Sequence, residues 1–239
     1  MCSRLTGRGP KRKNKGAFST VCPPPPGHYD GRMKTPTFPK TFFLFVFLAV
    51  LLGGCYMPIR FDAEIEITRG GYYDFKFDGY LAQVQLYQGL KEGKIGPEEE
   101  KKRIELIKTD FSRDPGFKGF KYIKLGHFKI YWERSGDLLK AKSVTFINLS
   151  EYILGLRYNS KTGRISMLGK SLSVATKKRL DKIGLGWTGQ IRVFTDAKVI
   201  THNATRVMDS KRKGGKFKIF IWDLKNIFAP TPSLILAAG

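Results

Sequence analysis

One short stretch of the chain combines residues that can be cleaved and chemically modified: Leu52-Gly53-Gly54-Cys55. The two glycines break a preceding helix and leave an extended peptide without side chains, which a peptidase can grip. The thiol of Cys55 beside them can carry a thioether-linked diacylglycerol. The stretch therefore combines a peptide that can be cleaved with a thiol that can be modified.

The residues in front of this stretch have the proportions of an export signal. Eleven consecutive apolar residues, from Phe42 to Leu52, follow Lys34 and Lys40. As a helix they would span roughly 16 Å, about half of the hydrocarbon thickness that a spanning helix crosses. A short apolar core behind a basic flank, with leucine three positions before cysteine, resembles the lipobox signal peptide of bacterial lipoproteins. The resemblance implies cleavage between Gly54 and Cys55 and lipid attachment at the Cys55 sulfur. The alternative is a buried helix or strand that ends in an ordinary cysteine.

The lipobox divides the chain into three parts. From Met33 the sequence reads as a complete signal peptide, so residues 33–54 are interpreted as the signal and residues 55–239 as one lipid-anchored envelope domain. Residues 1–32 are basic, contain a run of prolines from Pro23 to Pro26 and have almost no apolar residues for a core. This composition predicts a disordered leader, and we interpret it as a mis-assigned start. A cytoplasmic basic arm that binds nucleic acid or anionic lipid is the alternative.

Positive charge dominates the chain and survives removal of the signal. The formal net charge is +23 for the whole chain, and from Cys55 onward 34 Lys and Arg face 19 Asp and Glu, or +15. In the cytosol such a balance favours nucleic acid, whereas outside it the abundant polyanions are lipid headgroups, lipopolysaccharide and wall polymers. We therefore expect the membrane, an anionic lipid or glycolipid, or an envelope protein as partner, and no nucleic acid. Lysines that merely keep the domain soluble are the alternative.

Other constellations that could do chemistry are sparse. Cys55 is the sole cysteine of the predicted domain, so no disulfide or cysteine metal pair is expected. Asp196, His202 and Asn203 form the least ordinary polar cluster and are candidate site residues, although a capped, hydrogen-bonded turn explains them equally well. His127 and His202 lack a second ligand at metal spacing. We expect a non-catalytic protein without cofactor or metal; a hydrolase is a third hypothesis for which no residues can be named.

The hydrophobic pattern predicts an α+β domain with a curved, mostly antiparallel sheet. Alternation in Phe61 to Thr68 and Tyr72 to Tyr80, around Arg69-Gly70-Gly71, predicts a hairpin. Pro97 and three glutamates predict one clear helix at about 97–112. Weaker patterns predict helices within 81–95 and 174–183. Further strands are predicted at 117–125, 127–133, 143–149, 152–158, 164–168, 190–195, 198–202, 216–224 and 233–236.

Several of these features together resemble uncharacterised bacterial envelope lipoproteins of the LppM type. They are Cys55, the hairpin directly after it, Asp110-Phe111-Ser112-Arg113-Asp114-Pro115 at the helix end, Thr195-Asp196-Ala197, Thr201-His202-Asn203-Ala204 and Trp222-Asp223. The resemblance implies an α+β domain with a curved sheet that holds or presents lipid.

Two functions fit this sequence. In the first, aromatic residues at alternating strand positions line an apolar concavity for a lipid or glycolipid, with lysines at its rim. In the second, the aromatics are core and the domain is a structural or assembly partner of another envelope protein. Two or more acyl chains such as palmitate on Cys55 would make attachment effectively permanent. Tyr56, in place of an aspartate after the cysteine, favours the outer membrane, with the domain facing the periplasm.

Overall fold

The computed structural model describes residues 56–147, 153–211 and 216–239. The predicted leader, the predicted signal peptide and the lipobox with Cys55 lie outside the described residues. The described part begins at Tyr56, the residue after the predicted attachment point.

The described part is an α+β fold with large, mostly antiparallel sheets, which confirms the predicted fold class. Its strands are β1 (Tyr56–Ile67), β2 (Tyr72–Gln83), β3 (Phe117–Lys124), β4 (His127–Asp137), β5 (Ser143–Phe146), β6 (Leu154–Asn159), β7 (Arg164–Gly169), β8 (Thr188–Thr195), β9 (Lys198–His202), β10 (Arg206–Ser210), β11 (Phe217–Leu224) and β12 (Ser233–Ala237). Its helices are α1 (Val84–Lys91), α2 (Pro97–Ser112), α3 (Leu138–Ala141) and α4 (Val174–Lys182).

The predicted hairpin is the centre of a seven-stranded sheet with the order β10-β11-β8-β1-β2-β4-β3. Strand β1 buries Ala63, Ile65 and Ile67 on one face, and the intervening acidic residues lie on the other. This period of two is what the alternating sequence requires. The strand begins earlier than predicted, because Tyr56 and Met57 pair with the end of β2. Strands β1 and β8 are parallel, and the other pairs of this sheet are antiparallel.

The remaining strands form a second sheet, with the order β5-β6-β7-β12-β9. The sequence pattern predicted one sheet, but the apolar faces of two sheets pack against each other and share one core. Phe146 of β5 stacks on Phe77 of β2 with ring centroids 4.0 Å apart, and Met167 and Leu234 are almost fully buried in the same core. None of the residues in these five strands is Asp or Glu.

The helices follow the sequence signals with one shift and one addition. Helix α2 has the predicted bounds, with Pro97 in its first turn and Ile107 and Phe111 buried. Helix α1 is shorter than predicted, because the residues through Gln83 remain paired in β2. Helix α4 matches its prediction to within one residue. The short helix α3 was not predicted; its first turn is capped by the side chain of Asp137.

A second, smaller apolar cluster closes the end of the seven-stranded sheet at which β1 begins. We call this the proximal end. The cluster joins the start of β1, the end of β2, helix α1 and helix α4, and consists of Met57, Ala82, Val84, Tyr87, Leu180, Leu185 and Ile227. The core therefore continues up to the first described residues, directly beside Cys55 in sequence. Among the described helices, none is both long and apolar enough to cross a membrane.

Candidate functional site

Tyr56 fixes the start of the domain tightly to the folded core. Its side chain is buried, and its ring contacts Phe111 of α2 edge-on with centroids 5.2 Å apart. Burial raises the pKa of the Tyr56 hydroxyl above its usual range, and the negative charge of Asp110 acts in the same direction. Because no described linker separates residue 55 from β1, a lipid on Cys55 would hold the proximal end close to a membrane.

The three residues of the predicted polar cluster bond to separate partners. Asp196 accepts a hydrogen bond from the backbone N–H of Arg69 at 2.8 Å. His202 accepts one through Nδ1 from the backbone N–H of Ala204 at 3.2 Å. The structure gives no hydrogen bond or ion pair that joins the side chains of Asp196, His202 and Asn203 within its described part.

The side chain of Asn203, in the connection between β9 and β10, bonds to β11 and to the connection between β11 and β12. Its Oδ1 accepts hydrogen bonds from Trp222 Nε1 at 2.7 Å and from the backbone N–H of Ser233 at 2.8 Å. Its Nδ2 donates to the carbonyl oxygen of Thr231 at 2.8 Å. These contacts give Asn203 a structural role at the start of β12 and beside β11.

His202 alone of the three lines a concave surface, which we call the edge groove. This groove has a volume of about 520 Å³ and is lined by Ala197, Lys198, Val199, Ile200, His202, Val207, Lys218 and Phe220. The ring of His202 packs edge-on against Phe220, with centroids 4.9 Å apart. The volume lies in the range that small-molecule and lipid ligands occupy.

The groove exists because consecutive strands β9 and β10 join different sheets. Strand β9 is an edge of the five-stranded sheet and β10 an edge of the seven-stranded sheet, so none of the described strands closes the gap between them. Ile200 is the extra residue of a bulge in the β9–β12 pair, and such a bulge re-aims the side chains near it. Ile200 and Val207 are each 44 % exposed at the groove.

The electrostatics of the edge groove are positive. Lys198 and Lys218 lie at its wall, and neither forms an ion pair with another residue that the structure describes. Asp209 is opposite Lys218 in the β10–β11 register, but no ion pair joins their side chains. An apolar floor with two ammonium groups that form no ion pair with a described residue can accept a molecule that has an acyl chain and an anionic head.

A second concavity, the proximal cavity, lies between the sheets beside the start of β1. It is lined mainly by apolar side chains, among them Tyr56, Phe61 and Trp187, but its volume is only about 50 Å³. The indole N–H of Trp187 is buried and has no hydrogen-bond partner among the described residues. At this size the cavity holds a few methylene groups, so it is the weaker candidate for a lipid.

Sequence reasoning did not identify the edge groove. Lys218 and Phe220 are two positions apart in β11 and therefore lie on the same face of the strand. This spacing was visible in the sequence. The separation of β9 and β10 into different sheets was not, because it depends on contacts that are distant along the chain. In the described ranges, no three His, Cys, Asp or Glu side chains are grouped so as to hold a metal ion.

Comparisons with known proteins give structural neighbours only. No protein family and no curated protein matches the chain. The folded domain of the Mycobacterium tuberculosis LppM protein, solved by NMR, matches 78 % of this chain and 92 % of its own, with 14 % identity and a TM-score of 0.38. An M1 zinc metallopeptidase from Deinococcus radiodurans, solved with a Tyr-Ser-Ala substrate, matches 77 % of this chain and 42 % of its own, with 9 % identity and a TM-score of 0.35. These values support no assignment of family, substrate or activity.

Proposed function

We propose that this chain is a lipid-anchored protein of the bacterial cell envelope that binds or presents a lipid or glycolipid without catalysing a reaction. The observation that carries the binding role is the edge groove, with its apolar floor and its two unpaired lysines. The anchor is inferred from the lipobox at Leu52-Gly53-Gly54-Cys55. The domain would face the periplasm, with the outer membrane favoured.

The lining of the edge groove suits the two halves of an anionic lipid. Val199, Ile200, Val207 and Phe220 offer apolar contact to an acyl chain, and each methylene group removed from water contributes about 0.8 kcal/mol. A phosphate or carboxylate head can receive charge-assisted hydrogen bonds from lysine ammonium groups at the wall. The groove has room for a long segment of an acyl chain, whereas the proximal cavity holds only a few methylene groups.

The position of the edge groove favours presentation rather than deep storage. Its lining comes from the edge strands β9 and β10 and from the neighbouring strand β11, so the groove lies at the edges of the two sheets instead of between their packed faces. A ligand held there would keep its head and one side accessible to a partner or to a second membrane. This geometry is the reason to prefer presentation over storage of the lipid within the fold.

Lipid analysis of the purified full chain tests this proposal. The chain, expressed in a bacterium and extracted in detergent, should retain an anionic lipid that mass spectrometry detects. Lys198→Glu and Val207→Asp should each lower the retained amount several-fold, because one reverses a wall charge and the other places a carboxylate on the apolar floor.

Two matched variants control for general effects of charge. Lys161→Glu changes an exposed lysine in the β6–β7 turn, and Leu106→Asp changes an exposed apolar residue of α2. Both should retain lipid like the unaltered chain. The binding proposal is wrong if no lipid is retained, or if all four variants retain it equally.

The second candidate function is that of a structural or assembly partner of another envelope protein. Strand β10 favours it, because it lies at the edge of the described seven-stranded sheet and Met208 is half exposed on it. An extended segment of a partner could add to such an edge as a further strand. This function gains support if a photo-crosslinker at Met208 captures one envelope protein in cells and the same group at Leu106 does not.

A further inference from the structure

The proximal end contains the β3–β4 turn and helices α1 and α4 as well as the start of β1. The backbone N–H of Gln83 donates to the carbonyl oxygen of Gly126 in the β3–β4 turn at 3.0 Å. The hydroxyl of Tyr87 in α1 donates to the carbonyl oxygen of Ile183, just after α4, at 2.9 Å. These contacts tie the β3–β4 turn, both helices and the first residues of β1 into one end of the domain.

The β3–β4 turn presents apolar side chains to solvent at this end. We call Ile123-Lys124-Leu125-Gly126 the β3–β4 tip. Ile123 is 42 % exposed and Leu125 is 43 % exposed. Leu125 has a φ of 48°, in the left-handed region that glycine and asparagine adopt more readily than leucine. A leucine in this position costs conformational free energy, and its half-exposed side chain recovers little of that cost by burial.

A shallow groove adjoins the tip and extends it toward β1. Its volume is about 370 Å³, and Ile59, Arg60 and Tyr80 line it together with the tip and His127. The Nδ1 atom of His127 lies 2.9 Å from the carbonyl oxygen of Leu125 and fixes the turn by a hydrogen bond. The apolar surface of the tip is therefore held in place and is continuous with the residues that follow Cys55.

Positive charge surrounds the exposed apolar residues. Residues 117–130 contain four lysines and no carboxylate. Lys121 before the tip and Lys124 within it form no ion pair with another described residue, whereas Lys129 is paired with Asp78. Helix α4 adds Lys177, Lys178, Arg179 and Lys182 against the single carboxylate of Asp181, and Val174 at its start is 65 % exposed.

The outer face of the seven-stranded sheet differs from the proximal end in this respect. Its charges are paired: Lys76 lies 3.1 Å from Glu133, and Arg192 lies 3.4 Å from both Asp62 and Glu64. A face of matched pairs has little attraction for a polyanion, whereas unpaired lysines around apolar side chains are typical of surfaces that bind anionic membranes.

We propose that the proximal end rests on an anionic lipid bilayer, with Ile123 and Leu125 at the boundary of the hydrocarbon and the surrounding lysines among the headgroups. This inference rests on the proposed function, because lipid on Cys55 would bring Tyr56 and its neighbours to the membrane. It adds an orientation: one defined end of the domain touches the bilayer. The edge groove then has a fixed orientation relative to the membrane, whereas a domain attached only through its lipid would reorient freely.

A depth measurement on the full chain tests this orientation. The fluorescent amino acid Anap is placed at Ile123 in one preparation and, as a matched control, at Tyr72 in another. Tyr72 is 49 % exposed and begins β2, at the opposite end of the hairpin from Tyr56. Each chain is reconstituted with vesicles of phosphatidylcholine and phosphatidylglycerol that contain doxyl-labelled lipids, which quench fluorophores within the bilayer.

The probe at position 123 should be quenched several-fold more strongly than the probe at position 72, and its emission should shift to the blue. Leu125→Asn, introduced with the probe at position 123, should reduce the quenching, since asparagine suits the left-handed backbone but removes the apolar side chain. Vesicles of phosphatidylcholine alone should give weaker quenching, because the lysines then lack anionic headgroups.

Equal and weak quenching at both positions overturns the orientation, even if mass spectrometry finds lipid on Cys55. Quenching at position 123 that is indifferent to anionic lipid and to Leu125→Asn also overturns it. Absence of lipid on Cys55 instead overturns the anchor, and quenching at position 123 would still support the membrane-facing surface. A protein with an acidic surface as the true occupant would leave position 123 unquenched in vesicles.

Discussion

Replacement of Asn203 by alanine should destabilise the described fold without depending on any ligand. The side chain receives hydrogen bonds from Trp222 Nε1 and the Ser233 N–H and donates one to the Thr231 carbonyl oxygen, all between 2.7 and 2.8 Å. Alanine removes all three bonds at once. The loss loosens the connection before β12 from the strand that carries Trp222.

The magnitude follows from the burial of the groups left behind. A hydrogen bond contributes about 0.5–1.5 kcal/mol net, and a donor left without a partner costs more when water cannot replace it. Trp222 is 2 % exposed, whereas Asn203 itself is exposed, so water can reach part of the vacated space. We expect a loss of about 2–3 kcal/mol in the free energy of unfolding. For a domain of this size, each kcal/mol lowers Tm by about 2–4 °C.

Thermal and urea unfolding of the purified chain, followed by tryptophan fluorescence, measure this change. Thr201→Ala is the matched control, because Thr201 is exposed and its side chain makes no hydrogen bond in the described part of the chain; its effect should be within about 0.5 kcal/mol. The reasoning is refuted if Asn203→Ala is as stable as the control. Reduced lipid retention at unchanged stability would mean that Asn203 belongs to a binding site.

Three further changes have expected outcomes. Gly79→Ala should cost about 1–3 kcal/mol in unfolding experiments, since its β-carbon would lie 2.5 to 2.9 Å from side-chain and backbone atoms of β1. Leu125→Asn should raise the free energy of unfolding by up to about 1 kcal/mol, since it relieves a left-handed leucine. Hydrogen bonds from Gln190 and Arg206 lower the pKa of Asp223. The ionised carboxylate therefore stabilises the fold at a pH above its usual pKa, and this stability is lost as the pH falls through the lowered pKa. The Asp223→Asn variant should accordingly lose less stability than the unaltered chain between about pH 5 and about pH 3.

Controls for these changes come from the same chain. Gly96→Ala places a β-carbon in open space and should cost about 0.5 kcal/mol or less, because Gly96 only caps helix α2. Equal effects at Gly79 and Gly96 would contradict the packing argument. An Asp223→Asn variant whose acid unfolding matches that of the unaltered chain would contradict the assigned hydrogen bonds. A Leu125→Asn variant that is less stable would contradict the assigned backbone strain.

Local features of the fold were predictable because local sequence determines them. The alternation in Phe61 to Thr68 gave the hairpin, and Pro97 with three glutamates gave helix α2 at its observed bounds. The end of β2 was misjudged, since the helix predicted within 81–95 from the spacing of Leu86 and Leu90 included Leu81 to Gln83, which pair with β1 instead. The hydrophobic pattern within one segment does not show whether that segment pairs with another strand.

The arrangement of the candidate site was harder to predict from the sequence. The division into two sheets depends on contacts such as Phe77 with Phe146, which lie far apart in sequence. The edge groove follows from that division, so His202 was singled out while the groove around it was not. Asn203 was placed in a polar cluster from its residue type, but its partners Trp222 and Ser233 were not predictable from spacing.

Mass spectrometry of the mature N-terminus tests the central proposal most directly. The chain is expressed in a bacterium from Met33 and from Met1, each with Cys55 intact and with Cys55→Ser. The proposal predicts that the intact chains lose everything before Cys55 and carry a diacylglycerol on its sulfur, while the serine variants carry no lipid. An intact chain that keeps residues 33–54 and has no lipid on Cys55 from either start would contradict it.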